Sequence, residues 1–93
     1  MEFEFGNLYV TNDVAERAEN DEDFMAFINK AFCKRYCKCD WGDICEEDAK
    51  QNDEAVQNGE RILAVYKYDE DTTIWIITEA DRSCTTILFP ENY

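Results

Sequence analysis

Five charged side chains are the residues that could carry out hydrolytic chemistry, since paired carboxylates can serve as general acid and base and an arginine can stabilise developing negative charge. They are Asp40, Asp43, Glu79, Asp81 and Arg82. Structural roles explain them better, because Asp43 stands where a helix cap is expected and Asp81 stands in a predicted turn. We therefore expect a protein that is not an enzyme, with a minor hydrolase using these Asp and Glu residues and Arg82 as an alternative.

Four of the five cysteines could form a metal site, because they fall within 13 residues. They are Cys33, Cys37, Cys39 and Cys45. Four thiolates can enclose a tetrahedral zinc ion, but structural zinc sites commonly use cysteine pairs that are far apart in sequence. The chain has no histidine to activate a thiol. We expect reduced, partly buried thiols and no cofactor, with a small zinc-binding or redox-sensitive domain as an alternative.

Acidic residues dominate the composition, with 22 acids, nine bases and a formal net charge of −13. Residues 1–29 and residues 40–60 each carry eight acids and one base, whereas residues 30–39 carry four bases and no acid. A field of this sign repels nucleic acid and anionic lipid, so we expect neither as a direct partner. It favours a basic protein surface, although a merely solvated surface is the plainer explanation.

Carboxylates on a helix could imitate a nucleic acid, because side chains three or four residues apart lie roughly 5–6 Å apart, comparable with phosphate spacing. A protein of this kind would inhibit a nucleic-acid enzyme by occupying its basic surface. Trp41, beside Gly42, could anchor such a partner, although a core position is favoured. The predicted partner-binding residues are Asp40, Trp41, Asp43, Glu46, Glu47, Asp53, Glu54, Asp13, Glu16, Asp21, Glu22 and Asp23. We expect a monomer or a homodimer.

The elements that would position these residues begin with a short β-like segment through Val10, followed by a short helix with cap candidates at residues 11–13. Asn20 or Asp21 can cap a second helix, whose apolar residues repeat at helical spacing through Phe32. The spacing of Asp43 and Glu46 predicts a capping box for a third helix, over about 44–58. Its inward stripe is weak and includes Asn52, which needs a hydrogen-bond partner if it is enclosed. Gly59 is the predicted stop.

Residues 61–68, 73–78 and 85–89 are rich in β-branched and aromatic residues and predict an antiparallel meander. Residues 74–77 are apolar on both faces, so we expect helices on one side of the middle strand and a second cover, which could be a partner, on the other. The fold class is therefore α+β, in one domain over residues 1–93, with helices on one face of the sheet and the first strand possible beside the meander. The apparent lack of a leader and of a membrane-spanning run predicts a cytoplasmic location.

Two stretches resemble a group of small bacterial proteins borne on plasmids, phages and integrated elements and described only as plasmid-related. They are residues 39–52, which begin Cys39-Asp40-Trp41-Gly42-Asp43, and residues 74–90, which begin Ile74-Trp75-Ile76-Ile77. With the opening segment Phe5-Gly6-Asn7-Leu8-Tyr9-Val10-Thr11, the resemblance covers nearly the whole chain. The resemblance implies no known reaction or cofactor, only an association with mobile DNA and host defence. It makes a restriction enzyme or a CRISPR effector the expected target. A His-containing helix end precedes Asp-Trp-Gly in that group, whereas this chain has Tyr36-Cys37-Lys38-Cys39, so a site that needs that His is absent here.

Overall fold

The computed structural model describes residues 3–93, which form three α-helices and a four-stranded mixed sheet. The α+β class predicted from the sequence is confirmed. The helices are α1 (Asn12–Asn20), α2 (Glu22–Lys30) and α3 (Glu46–Asn58). The strands are β1 (Asn7–Val10), β2 (Ile62–Asp69), β3 (Thr72–Thr78) and β4 (Cys84–Leu88). Within residues 3–93, no helix is long and apolar enough to cross a bilayer.

The second helix follows the sequence prediction closely. Asp21 caps α2, because its carboxylate accepts hydrogen bonds from the backbone N–H groups of Asp23 and Phe24, each at 3.1 Å. The chain then continues through a wider turn over Ala31–Arg35 and a tight turn over Tyr36–Lys38. These turns carry Tyr36 into the core, where its hydroxyl lies 2.6 Å from that of Thr78.

The third helix starts later than predicted. It begins at Glu46, Cys45 occupies the N-cap position, and no side chain caps the helix. The predicted capping box of Asp43 and Glu46 is wrong, because the Asp43 carboxylate instead accepts the backbone N–H of Lys67 at 2.9 Å. Gly59 ends the helix as predicted, with a φ of 71° that suits a residue without a side chain.

The strands lie in the order β1-β4-β3-β2. The predicted antiparallel meander is confirmed for β2, β3 and β4. β1 joins the sheet parallel to β4, with Leu8 opposite Thr85 and Val10 opposite Ile87, so the sheet is mixed. β1 and β2 are therefore its two edges.

The core lies between the helices and one face of the sheet. The largest buried side chains there include Phe24, Tyr36, Tyr66, Ile74, Ile76 and Ile87. The other face of β3 receives the C-terminal residue, since the ring of Tyr93 packs edge-on against Trp75 at 5.6 Å. The second cover predicted for the middle strand is thus supplied in part by the chain itself.

Candidate functional site

The β2 edge of the sheet is closed by the segment that links α2 to α3. Gly42 forms a parallel bridge with Val65. The Val65 N–H donates to the Trp41 carbonyl at 3.1 Å, and the Asp43 N–H donates to the Val65 carbonyl at 2.7 Å. Because an edge strand presents unpaired backbone groups, this segment removes a template for pairing with another chain.

Gly42 allows this approach because it has no side chain. A Cβ atom at this position would lie 2.0 Å from the Val65 carbonyl oxygen and 2.7 Å from the Tyr66 ring. Its φ of 82° also belongs to the left-handed region, which other residues rarely adopt. A glycine at this point is therefore required for closure of the edge.

Asn52 of α3 closes the next part of the same edge. Its amide donates to the Leu63 carbonyl at 2.8 Å, and its side-chain oxygen accepts the Leu63 N–H at 3.4 Å. This answers the sequence argument that an enclosed amide needs partners. Together with Asp43, which holds the Lys67 N–H, it leaves β2 with few unpaired groups on its outer side.

The β1 edge, in contrast, is open. The backbone N–H groups of Asn7 and Thr11 bond to Ser83 and Ile87 on the β4 side, each at 3.1 Å. Since the backbone groups of successive residues point to opposite sides of a strand, those of Leu8 and Val10 point away from the sheet. Within residues 3–93, no strand pairs with β1 on that side.

An apolar groove of about 350 Å³ lies beside the open edge, between β1 and the first two helices. Leu8 and Val10 line it and are 48% and 40% exposed, although both face the helix side of the sheet. Met25 of α2, which is 41% exposed, contributes to the opposite wall together with Ile28. The sequence signal for this groove is weak, since it consists of apolar Leu8 and Val10 at alternate positions of a short strand.

Acids from three separate segments meet at one end of the molecule. A cleft of about 390 Å³ is lined by Asp13 and Glu16 of α1, by Asp71 from the β2–β3 turn and by Glu91 from the C-terminal turn. Arg17 is the one basic residue lining this cleft, and it donates to the Thr72 hydroxyl at 2.8 Å. Asp13 and Glu16 are among the partner-binding residues predicted from the sequence, whereas Asp71 and Glu91 are not.

Further acids surround Tyr68 at the same end. Desolvation and the negative charges of Asp21, Asp23 and Asp69 raise the pKa of the Tyr68 hydroxyl. We call the whole set the acidic end. Its members are Asp13, Glu16, Asp21, Asp23, Asp69, Asp71 and Glu91. Such a gathering depends on the fold and could be found in the sequence only by knowing which turns share an end.

The acids predicted on α3 form a weaker row than the sequence suggested. Glu46, Glu47 and Glu54 are exposed, but Lys50 is exposed among them at helical spacing. Asp53 is half-buried and accepts the indole N–H of Trp41 at 3.0 Å. The structure therefore turns Asp53 toward the core side of α3 and leaves three glutamates on its outer face.

Asp40 and Trp41 have structural contacts where partner contacts were predicted. The Asp40 carboxylate pairs with the Arg35 guanidinium at 2.8 Å, which holds the pKa of that carboxyl below its usual range. Trp41 is only 4% exposed and packs against Tyr36, so little of it is accessible to a partner. Of the remaining predicted residues, Glu22 is exposed on the first turn of α2.

The side chains proposed for hydrolysis are held in backbone contacts. Arg82 donates to the carbonyls of Glu60 at 2.7 Å, Ala55 at 2.8 Å and Glu79 at 3.1 Å. Asp81 accepts the Ser83 N–H in the turn before β4, as the sequence indicated. Arg82 thus ties the end of α3 to two loops, and these contacts favour a structural role over an acid–base one.

The four cysteines of the zinc alternative do not converge. Among residues 3–93, no three His, Cys, Asp or Glu side chains are placed to hold a metal ion. Cys33 and Cys45 are exposed, whereas Cys37 and Cys39 are half-buried. Burial raises the pKa of the Cys37 and Cys39 thiols, which favours the unreactive protonated form at neutral pH.

Comparisons with known proteins add no assignment. No protein-family model matches this chain, and no curated protein or solved structure shows significant similarity to it. The resemblance to plasmid-related proteins remains a prediction from the sequence.

Proposed function

We propose that this protein is a non-enzymatic acidic binding protein whose acidic end occupies the basic surface of a nucleic-acid enzyme. The observation that supports this most is the gathering of seven acids from residues 13–23, 69–71 and 91, four of which line a cleft where Arg17 is the one base. Within residues 3–93, Arg35–Asp40 is the only ion pair, and it lies outside this set. The carboxylates of the acidic end therefore have no ion pair within the described chain.

A basic protein surface fits the acidic end chemically. The cleft is concave and is also lined by polar groups of Asn20, Thr72 and Thr73, so the side chain of a partner's lysine or arginine can enter it and form charge-assisted hydrogen bonds. Complementary charge would also speed association and make it sensitive to salt. Nucleic acid itself is a poor ligand for the same reason, because its phosphates carry the same sign of charge.

The target class follows from the sequence resemblance. The resemblance implies an association with mobile DNA and host defence, and restriction enzymes and CRISPR effectors bind nucleic acid, which requires a basic surface. We propose that this protein inhibits an enzyme of that class by competing with its nucleic acid.

The test is competition between the protein and labelled DNA for a panel of restriction enzymes and a CRISPR effector, at about 50 mM and about 200 mM salt. One variant carries Asp13→Asn, Glu16→Gln, Asp71→Asn and Glu91→Gln at the acidic end. The matched control carries Glu46→Gln, Glu47→Gln, Asp48→Asn and Glu54→Gln on α3. Each variant loses four negative charges, so a difference between them reports location rather than net charge.

We expect the wild-type protein to displace DNA from at least one enzyme, more strongly at low salt. The acidic-end variant should be at least about tenfold weaker than the α3 variant, which corresponds to about 1.4 kcal/mol of binding free energy. Equal weakening by the two variants would show that only net charge matters. No displacement from any enzyme at low salt would contradict the proposed function.

A further inference from the structure

Beyond the acidic end, we propose that the open β1 edge and its groove bind an extended segment of a partner protein in which apolar residues alternate with Lys or Arg. The segment would add a strand beside β1 and place its apolar side chains in the groove. This site is separate from the acidic end and does not depend on the proposed inhibition.

The backbone of β1 supplies the first half of the site. Leu8 and Val10 each direct an N–H and a carbonyl away from β4, so an added strand can form four main-chain hydrogen bonds. Addition of a strand to a free sheet edge is an established mode of peptide recognition. The β2 edge does not offer this, because Trp41, Asp43 and Asn52 already hold its outward groups.

The groove supplies the second half. Leu8 and Val10 point to the helix side of the sheet, where Ala18, Met25, Ile28 and Phe32 form the facing wall. Alternate side chains of an added strand would point to the same side. Apolar residues at every second position of the partner segment would therefore cover the exposed carbon atoms of Leu8, Val10 and Met25.

Charge decides between a partner segment and a second copy of this chain. Glu19 lines the groove and no basic residue does, and residues 1–29 carry eight acids against one base. The Lys or Arg side chains between a partner's apolar residues would point to the opposite face of the sheet from Glu19, so it is the overall negative field of the chain that attracts them, whereas two chains of charge −13 repel each other. An edge of four residues is also too short to bury the roughly 800 Å² per partner that a stable dimer buries.

The probe is a fluorescent seven-residue peptide that alternates lysine with valine and is capped at both ends, with binding measured by anisotropy. Two matched peptides of equal charge carry backbone N-methyl groups, one on its valines and the other on its lysines. If the peptide runs antiparallel to β1, the valine N–H groups face the edge, and if it runs parallel, the lysine N–H groups do. One methylated peptide should therefore bind at least about tenfold more weakly, while the other should change less than about threefold.

Three protein variants locate the binding. Val10→Pro removes an outward N–H and leaves the Thr11 bond to β4 in place, so binding should fall about tenfold in a folded protein. Met25→Lys places a positive charge in the groove at an exposed position and should weaken binding by at least as much, while Met25→Leu should not. If Val10→Pro does not fold, the comparison of Met25→Lys with Met25→Leu still tests whether the peptide binds in the groove.

Equal effects of the two N-methylated peptides, or none, would overturn the proposal, because electrostatic capture does not distinguish them. Loss of peptide binding in the acidic-end variant but not in Met25→Lys would place the peptide at the acidic end instead. A dimer in light scattering that the peptide does not dissociate, and that blocks its binding, would assign the edge to a second copy. None of these results depends on whether the protein inhibits an enzyme.

Discussion

The two edges of this sheet differ in how their outward backbone groups are satisfied. On β2, Val65 forms a bridge with Gly42. Leu63 bonds to the side chain of Asn52, and Lys67 bonds to the side chain of Asp43. On β1, Leu8 and Val10 face outward without a paired strand in the described chain. The difference indicates that contacts along β2 maintain the fold, whereas β1 is available for an intermolecular contact.

The largest effect is expected from filling the space that closes β2. Gly42→Ala should lower the free energy of unfolding by about 4 kcal/mol, because its Cβ meets the Val65 carbonyl and its φ of 82° is unfavourable. Gly59→Ala is the matched control, since it shares a positive φ but has no atom within 4 Å of the added Cβ. Gly59→Ala should lower the free energy of unfolding, measured by urea denaturation, by about 1 kcal/mol. Equal costs would mean that the Gly42–Val65 approach is not tight.

Proline at matched positions compares the edges directly. Val65→Pro removes the N–H that bonds to the Trp41 carbonyl and should destabilise the protein by about 3 kcal/mol. Val10→Pro removes an N–H that faces away from the sheet and should cost less than about 1 kcal/mol. Thermal and urea unfolding of the two variants measure the difference. Similar losses of stability in the two variants would show that the β1 and β2 edges do not differ in this respect.

A smaller effect is expected from Asn52→Ala, which leaves the Leu63 N–H and carbonyl without their side-chain partner. The cost should be about 2 kcal/mol, while Gln51→Ala on the exposed side of α3 should be nearly neutral. Because the substitution opens the second edge, light scattering should also detect more self-association than in the Gln51→Ala control. If Asn52→Ala leaves the free energy of unfolding unchanged, water fully replaces the hydrogen bonds of the Asn52 amide.

The smallest effect concerns the Arg35–Asp40 ion pair beside the closed edge. The folded protein lowers the pKa of Asp40, so its contribution is complete above the usual Asp pKa of about 4 and is lost as the pH falls through the folded-state value. Since the pair is largely exposed, Asp40→Asn should cost less than about 1 kcal/mol at pH 7. The deficit relative to wild type should vanish once the pH falls below the folded-state pKa of Asp40, whereas Glu70→Gln, at an exposed position of the β2–β3 turn, should be nearly neutral at pH 7. A deficit that persists at low pH would indicate that the amide disrupts packing instead.

Local signals predicted the elements well. The Asp21 cap, the stop at Gly59 and the three C-terminal strands all follow from neighbouring residues, and the structure has each of them. Asp43 and Glu46 have the local pattern of a capping box, but the Asp43 carboxylate accepts the distant Lys67 N–H instead. Short-range patterns cannot report such competition.

The candidate sites were less accessible to sequence reasoning, because both depend on contacts between distant segments. The acidic end joins residues 13–23 to Asp71 and Glu91, and nothing local in the chain places these together. The need of Asn52 for a partner was predictable, but Leu63 as that partner was not. The parallel pairing of β1 with β4, which leaves the open edge, also joins opposite ends of the chain.

The most direct test of the difference between the two edges is amide hydrogen exchange measured by NMR on the wild-type protein. The amides of Leu63 and Val65 should be strongly protected, because Asn52 and the Trp41 carbonyl accept them. The amides of Leu8 and Val10 should exchange far faster than those of Tyr9 and Thr11, which face β4 on the same short segment. Protection of Leu8 and Val10 equal to that of Leu63 and Val65 would contradict the account.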